Sequence, residues 1–292
     1  MNVWPRRKES ALPGPGKRIR VRPLESFEDF HKLLPIQKAV WGHADIDLTP
    51  VHQFCVSSRL GAIILGVFPG RDLAGFVYSF PGIHNGTVCQ HSHLLAVLPE
   101  HQGVGLGKCL KWAQREEAIR RGFDLVTWTF DPLKTPNARL NLQTLGAVSR
   151  TYHHNFYGLT PALCPGPGIP TDRLFVEWRI RDRRVRTLAG KGATKREPDP
   201  LRLPKVLERK AKPEAGTDLF APSRPSLDID APAILIEVPR DIRSAGAPPD
   251  LIARWQSALR RVMTGYFARG FHAGGFLFGD RCFYILRRLP GF

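Results

Sequence analysis

The stretch that most constrains this chain begins as Leu94-Leu95-Ala96-Val97-Leu98, passes through Pro99-Glu100-His101-Gln102-Gly103-Val104-Gly105-Leu106-Gly107, and continues from Lys108. An apolar run predicts a strand, the glycines a tight turn, and the residues to about Arg121 a helix that Gly122 stops. Strand, glycine turn and helix N-terminus together make an anion site. Backbone N–H groups without intrahelical partners point outward, and the helix dipole adds partial positive charge. Glycine at 103, 105 and 107 lets the backbone take positive φ or approach a bound group closely.

The spacing is G-x-G-x-G, not the dinucleotide G-x-G-x-x-G, and Gly107-Lys108-Cys109 lacks the hydroxyl that ends a Walker loop. It follows a run of strands, about a third of the way into 292 residues.

Taken in order, Ile19-Arg20-Val21-Arg22 alternates as a first strand. Ser26 and Asp29 form a capping-box-like helix start, Phe27, Phe30, Leu33 and Leu34 give that helix an apolar face, and Pro35 is expected to kink it. Thr49-Pro50 opens a second helix ending at Gly61. Strands are expected over 62–68, 73–80 and 87–98, with a turn over 81–86. In the helix after the glycine turn, Leu106, Cys109, Leu110 and Ala113 are expected to face inward, and Lys111, Gln114 and Arg115 to face water. A strand over 124–130, a helix from Thr135-Pro136 through Leu145, and strands over 147–157 and 174–180 complete the region. Near 231 a second folded piece begins: a strand at 234–236, an amphipathic helix over 250–269, and a hairpin over 271–286 joined by Gly279-Asp280. About 60 residues make a thin domain, so this piece is expected to dock on the first or complete its sheet.

The resulting order, β-α-α-β-β-β-α-β-α-β-β, and the motif Gln102-x-x-Gly105-x-Gly107 resemble the GNAT N-acyltransferase superfamily over about 19–180. The implied fold class is α/β (mixed α+β), a central mixed, mostly antiparallel sheet flanked by helices, plus a small C-terminal β-α-β-β module. The domain reading is a disordered basic lead-in at 1–17, a GNAT domain at 18–180, a basic Pro-rich linker at 181–230 and the docked module at 231–292. The module carries no glycine signature; it is read as lining an acceptor pocket or forming a homodimer contact.

The net charge of +17 is uneven: 179–212 holds 13 Lys/Arg against 4 Asp/Glu. That run is apolar-poor and proline-rich, and reads as a solvated linker. Nucleic-acid binding by it is the alternative use, and a general positive field also favours a polyanion such as CoA. No apolar run approaches the ~18 residues that span a membrane, and the N-terminus has no signal-like apolar core. Cys55, Cys89, Cys109, Cys164 and Cys282 are odd in number and form no C-x-x-C. This predicts no disulfide framework, no zinc site and a reducing, cytoplasmic setting.

The resemblance implies acetyl-CoA as acyl donor, no metal, and the amine of a small molecule or peptide as acceptor. It places the pantetheine arm along Leu95, Ala96 and Val97, and the pyrophosphate on Gln102, Gly103, Val104, Gly105, Leu106 and Gly107 with Lys108 beside them. The polarising donor is then a backbone N–H of that strand. Where the family often has an Asn and, seven residues on, a Tyr acid, this chain has Thr135 and Leu142. Asn137 and Asn141, at i and i+4, are expected to share a face and contact CoA or substrate. His91 and His93, two apart on a strand, are expected on one face as candidate bases. Tyr152 is the candidate substitute acid, with Tyr157 as alternative. Arg139 and Arg150 are candidates to hold a carboxylate. The activity implied is N-acetyl transfer by direct attack; the alternative is a non-catalytic CoA-binding or sensor protein.

Overall fold

The computed structural model describes residues 10–12, 19–42, 44–158, 168–190, 200–214, 217–240, 242 and 245–288. The chain divides into two compact units, Met1–Thr127 and Trp128–Phe292. Cys164, the lead-in over 1–9 and 13–17, and 191–199 of the expected linker lie outside the described residues.

The first unit runs β1 (Ser10–Leu12), β2 (Ile19–Pro23), α1 (Phe27–His31), α2 (Leu33–Trp41), α3 (Val51–Arg59), β3 (Ile63–Phe68), β4 (Gly75–His84), β5 (Thr87–Val97) and α4 (Leu106–Arg120), and ends within β6 (Leu125–Phe130). Strand order here is β1-β2-β3-β4-β5-β6, antiparallel except for β5 with β6. Ser26 caps α1 by accepting from Asp29 N at 3.1 Å, as its position predicts. The chain breaks at Lys32, before Pro35, so two short helices stand where one kinked helix was expected. Phe30, Leu33, Ile36 and Phe54 from the three helices pack on Ile64, Phe68, Phe76 and Tyr78. β3 is buried at every residue, because α4 packs on it as well. β4 extends to His84 and turns at Asn85-Gly86, whose φ values of 47° and 74° are those of a two-residue hairpin turn. The expected loop over 81–86 is therefore mostly strand. Ser10–Leu12 pairs with β2, so this part of the expected disordered lead-in is strand.

The second unit holds the rest of β6, α5 (Thr135–Ala138) continuing as a π-helical turn Arg139–Thr144, β7 (Val148–His153), β8 (Arg173–Arg179), α6 (Arg183–Ala189), β9 (Lys205–Leu207), β10 (Ala233–Val238), α7 (Pro249–Ala268), β11 (Phe271–Leu277) and β12 (Cys282–Arg288). Its strands run β8-β7-β11-β12-β10-β9, with only β9 and β10 parallel. The β-α-β-β module thus joins β7 through β11, and the unit boundary falls inside the region read as one domain from the sequence. The stretch 181–230 also departs from a free linker. It contains α6 and β9, Ser226 N donates to Val206 O at 2.9 Å, and Trp255 Nε1 donates to Phe220 O at 2.8 Å. Val206, Leu207 and Ala221 are few but buried, and they anchor it.

Candidate functional site

In the first unit the glycine turn has the geometry its residue types require. Gly103 and Gly105 have φ of 80° and 92°, and a Cβ at either would meet nothing within 4 Å. The space beyond them is open, and glycine is there for conformation. Gly107 has ordinary φ, and a Cβ on it would sit 4.0 Å from Leu95 and Val97. Gly105 is the N-cap residue of α4 and no side chain caps that end. Gln102 Nε2 donates to Val97 O at 2.8 Å and ties the turn to the end of β5. Gln102, Gly103, Val104, Gly105 and Lys108 are exposed, Gly107 is half-buried, and Leu106 is buried beneath them.

Among the described residues β5 pairs with β6 at Gln90 with Val126 and His91 with Thr127. Among those residues no pairing of β5 with β6 continues beyond His91, toward Leu95, Ala96 and Val97. An extended arm carrying amides can pair with a free strand edge. Against β4 the register slips between Tyr78 and Ser79, opposite Leu94 and Ser92, which makes His93 a bulged residue.

His91 and His93 both meet the Phe80 ring, with centroids 5.6 and 5.8 Å away. His91 Nδ1 lies 3.1 Å from Thr127 Oγ1. Burial, with smaller contributions from His93, Lys111 and His84 when these are protonated, pulls the His91 pKa down to about 4. His93 is open to solvent on one side and packs on Tyr78 and Phe80 on the other; desolvation also holds its pKa below the usual value. Both imidazoles are neutral at pH 7 and able to accept a proton. Between them, Ser92 points the other way into a buried polar knot. Lys111 Nζ donates to Ser92 Oγ at 3.1 Å and to Gln114 Oε1 at 2.6 Å, and Gln114 Nε2 donates to Ser92 Oγ at 3.1 Å. Lys111, Gln114 and Arg115 are buried, which corrects the expectation that they face water. The signal was present: Gln114 lies four residues after Leu110 and four before Ala118, on the buried stripe of α4. Burial drives the Lys111 pKa well below that of an ordinary lysine. It also raises the thiols of Cys89 and Cys109, so neither is a thiolate at neutral pH.

In the second unit Tyr152 donates its hydroxyl proton to Asp172 Oδ2 at 2.8 Å, and Arg260 Nε donates to the same oxygen at 2.8 Å. Burial and the Asp172 charge raise the Tyr152 pKa well above normal. Its proton is held by a buried carboxylate. Tyr157 hydroxyl lies 3.1 Å from Thr129 Oγ1 on β6. Asn137 is exposed and Asn141 buried, so they do not share a face. The π-helical turn that starts at Arg139 has more residues per turn than an α-helix, and the i, i+4 relation fails across it. Leu142, where the usual Tyr would stand, is fully buried, and Thr135 Oγ1 donates to Arg240 O. Arg139 stacks on Phe278 at 4.8 Å, and Arg150 lies 4.0 Å from Glu177.

No family model and no curated protein matches this chain. Among solved structures it is similar to the ribosomal-protein-S18-alanine N-acetyltransferase from Escherichia coli, at 15% identity over 62% of this chain and 99% of that one, TM-score 0.45. It is also similar to a GNAT-family acetyltransferase from Streptococcus pneumoniae, at 17% identity over 55% and 98%, TM-score 0.45. A third is the GNAT-family acetyltransferase from Elizabethkingia anophelis with acetyl-CoA bound, at 17% identity over 55% and 97%, TM-score 0.43. These are likenesses of structure at low identity, and no substrate follows from them.

Among the described residues no cluster of His, Cys, Asp and Glu is arranged to hold a metal, and no helix is long and apolar enough to cross a membrane.

Proposed function

We propose that this chain is a member of the GNAT superfamily and an acyl-CoA-dependent N-acyltransferase, moving acetyl from acetyl-CoA to the primary amine of an acceptor by direct attack. The observation that carries the reading is the turn itself. Two positive-φ glycines open an uncapped helix at the end of a strand whose pairing with β6, among the described residues, stops at His91. Pyrophosphate would sit on the N–H groups of 102–108, and the pantetheine amides along Leu95 to Val97.

The chemistry then needs little from side chains. His93, exposed and neutral, takes the proton of the acceptor ammonium; His91, with a pKa of about 4, is the poorer acceptor and positions the strand through Thr127. The neutral amine attacks the thioester carbon, and a β5 backbone N–H stabilises the oxyanion. The C–S bond breaks, the thiolate leaves with both electrons of that bond, and the nitrogen, positively charged after the attack, gives its extra proton through solvent to the departing sulfur, leaving amide and CoA thiol. Thiols have pKa near 8.5, so the departing sulfur needs no strong acid at neutral pH. This suits a Tyr152 whose proton is tied to Asp172. The raised cysteine pKa values favour direct transfer over an acyl-cysteine intermediate.

The test is CoA-thiol release measured against a panel of amines, amino acids and N-terminal peptides, with His93→Gln beside His91→Gln. Turnover with at least one acceptor, lost more completely in His93→Gln, is the expected result. Acetyl-CoA binding without thiol release from any acceptor would instead mark a CoA-binding protein, the reading that the absence of the usual Tyr at Leu142 favours.

A further inference from the structure

The second unit holds a cavity at the end of the β11–β12 hairpin. Leu235, Phe283 and Ile285 form a buried apolar cluster there, and Leu203 and Leu277 pack against it. Leu277 is the cross-strand partner of Phe283, so their side chains stand together on one sheet face. A short helical turn over Pro200–Arg202 leads into Leu203. Backbone bonds fix this segment: Leu203 N donates to Pro200 O at 3.1 Å, and Leu235 N donates to Pro204 O at 2.8 Å. Turn and hairpin together enclose a cavity of about 490 Å³, walled by Pro200, Leu201, Leu277, Phe278 and Phe283, with Gln143 of the π-helical turn also lining it. That volume is in the range of small-molecule sites.

The walls are apolar and the charges around them are mostly positive. Arg281 lies over the Phe283 ring at 5.1 Å, and its N–H edge is taken: it donates to Glu237 Oε1 at 2.8 Å and to Glu208 Oε1 at 2.9 Å. Asp280, exposed at the hairpin turn, lies 3.8 Å from Arg240. The carboxylates of this region are thus matched by arginines. Lys205 is different. It meets Glu208 Oε1 only at 3.8 Å, beyond hydrogen-bond reach, and that oxygen already accepts from Arg281. Among the described residues Lys205 therefore lines the cavity with ammonium donors to spare. The guanidiniums of Arg139 and Arg240 add positive charge at the Phe278 ring, 4.8 and 5.2 Å from its centroid. Two aromatic rings and two leucines suit a flat apolar body, and an ammonium with free donors suits a carboxylate. We infer that this cavity binds an aromatic carboxylate, its ring among Leu201, Leu277, Phe278 and Phe283 and its carboxylate on Lys205. None of these residues belongs to the glycine turn, and the site stands whether or not the chain transfers acyl groups.

The experiment titrates the full chain with naphthoate by calorimetry, with naphthamide, its uncharged analogue, in a second arm. Naphthoate is expected to bind, and naphthamide to bind about tenfold more weakly, the loss of one charged hydrogen bond. Lys205→Met keeps the aliphatic stem; it is expected to bring naphthoate down to the level of naphthamide and to leave naphthamide unchanged. Leu201 is exposed, so Leu201→Glu carries little risk to folding. It places a like charge at the wall and is expected to weaken naphthoate at least as much. Circular dichroism verifies the fold of both variants. No naphthoate binding to the wild type, equal binding of acid and amide, or unchanged naphthoate affinity in either folded variant overturns the site. Acetyl-CoA takes no part in the measurement, so its failure leaves the acyl-transfer reading untouched.

Discussion

Helices α4 and α7 read alike in the sequence, each with an apolar stripe and a charged remainder, yet they bury different chemistry. α7 buries Leu251, Ile252, Trp255, Leu259, Val262, Met263 and Tyr266, the face its periodicity predicts. α4 buries Leu106, Leu110 and Ala118 but also Lys111, Gln114, Arg115 and Glu117. Glu117 accepts from Arg120 and Arg121, and Arg121 reaches the carbonyls of Gly61 and Ala62 at 3.0 Å. α7 contributes mainly apolar area. α4 joins the glycine turn to a buried polar lattice that fixes β5 at Ser92, between the two histidines. Polar burial of this kind specifies position at a cost in stability.

The contrast can be broken from the α7 side first. Trp255→Ala removes a fully buried indole and its bond to Phe220 O, and is expected to cost about 3–5 kcal/mol in denaturant unfolding. A loss comparable with surface substitutions would mean α7 is not a core helix. Next comes the π-helical turn that sets two asparagines apart. Asn141→Ala is expected to cost about 1–3 kcal/mol and Asn137→Ala within about 0.5 kcal/mol. Equal costs would restore the α-helical spacing.

The substitution most informative about α4 is Lys111→Met. The folded pKa of Lys111 lies well below 10.5, so below that pH the unfolded chain binds the extra proton and the wild type gains stability as pH rises. Near pH 10.5 the wild type is expected to exceed the variant by about 1–2 kcal/mol, through its bonds to Ser92 and Gln114. That advantage shrinks as pH falls below 10.5, because the unfolded chain then takes up a proton that the buried amine binds less readily. A gap independent of pH would show that Lys111 stays charged when folded.

What was legible from the sequence follows from range. The glycine turn, the Ser26 cap and the α7 stripe depend on neighbours within a few residues, and each was readable. Lys111 was misplaced because its partner Ser92 is brought to it by tertiary packing, with no local pattern to announce it. Asn137 and Asn141 were put on one face by α-helical arithmetic that a π turn invalidates. The stretch 181–230 reads as linker because the buried apolar residues within its part 205–230, Val206, Leu207 and Ala221, are too few for a composition signal. The candidate oxyanion donor is main chain, so residue type cannot reveal it.

The central claim is that the turn at Gly103 to Gly107 holds the pyrophosphate of an acyl-CoA. Isothermal calorimetry of acetyl-CoA with the wild type and Gly105→Glu tests it most directly, with circular dichroism to verify the fold. Gly105 has φ of 92° and open space beyond, so glutamate adds about 1–2 kcal/mol of backbone strain and a negative charge where the phosphates should lie. The account predicts measurable binding to the wild type and a loss of at least tenfold in the folded variant. Equal affinity in the two proteins would contradict it.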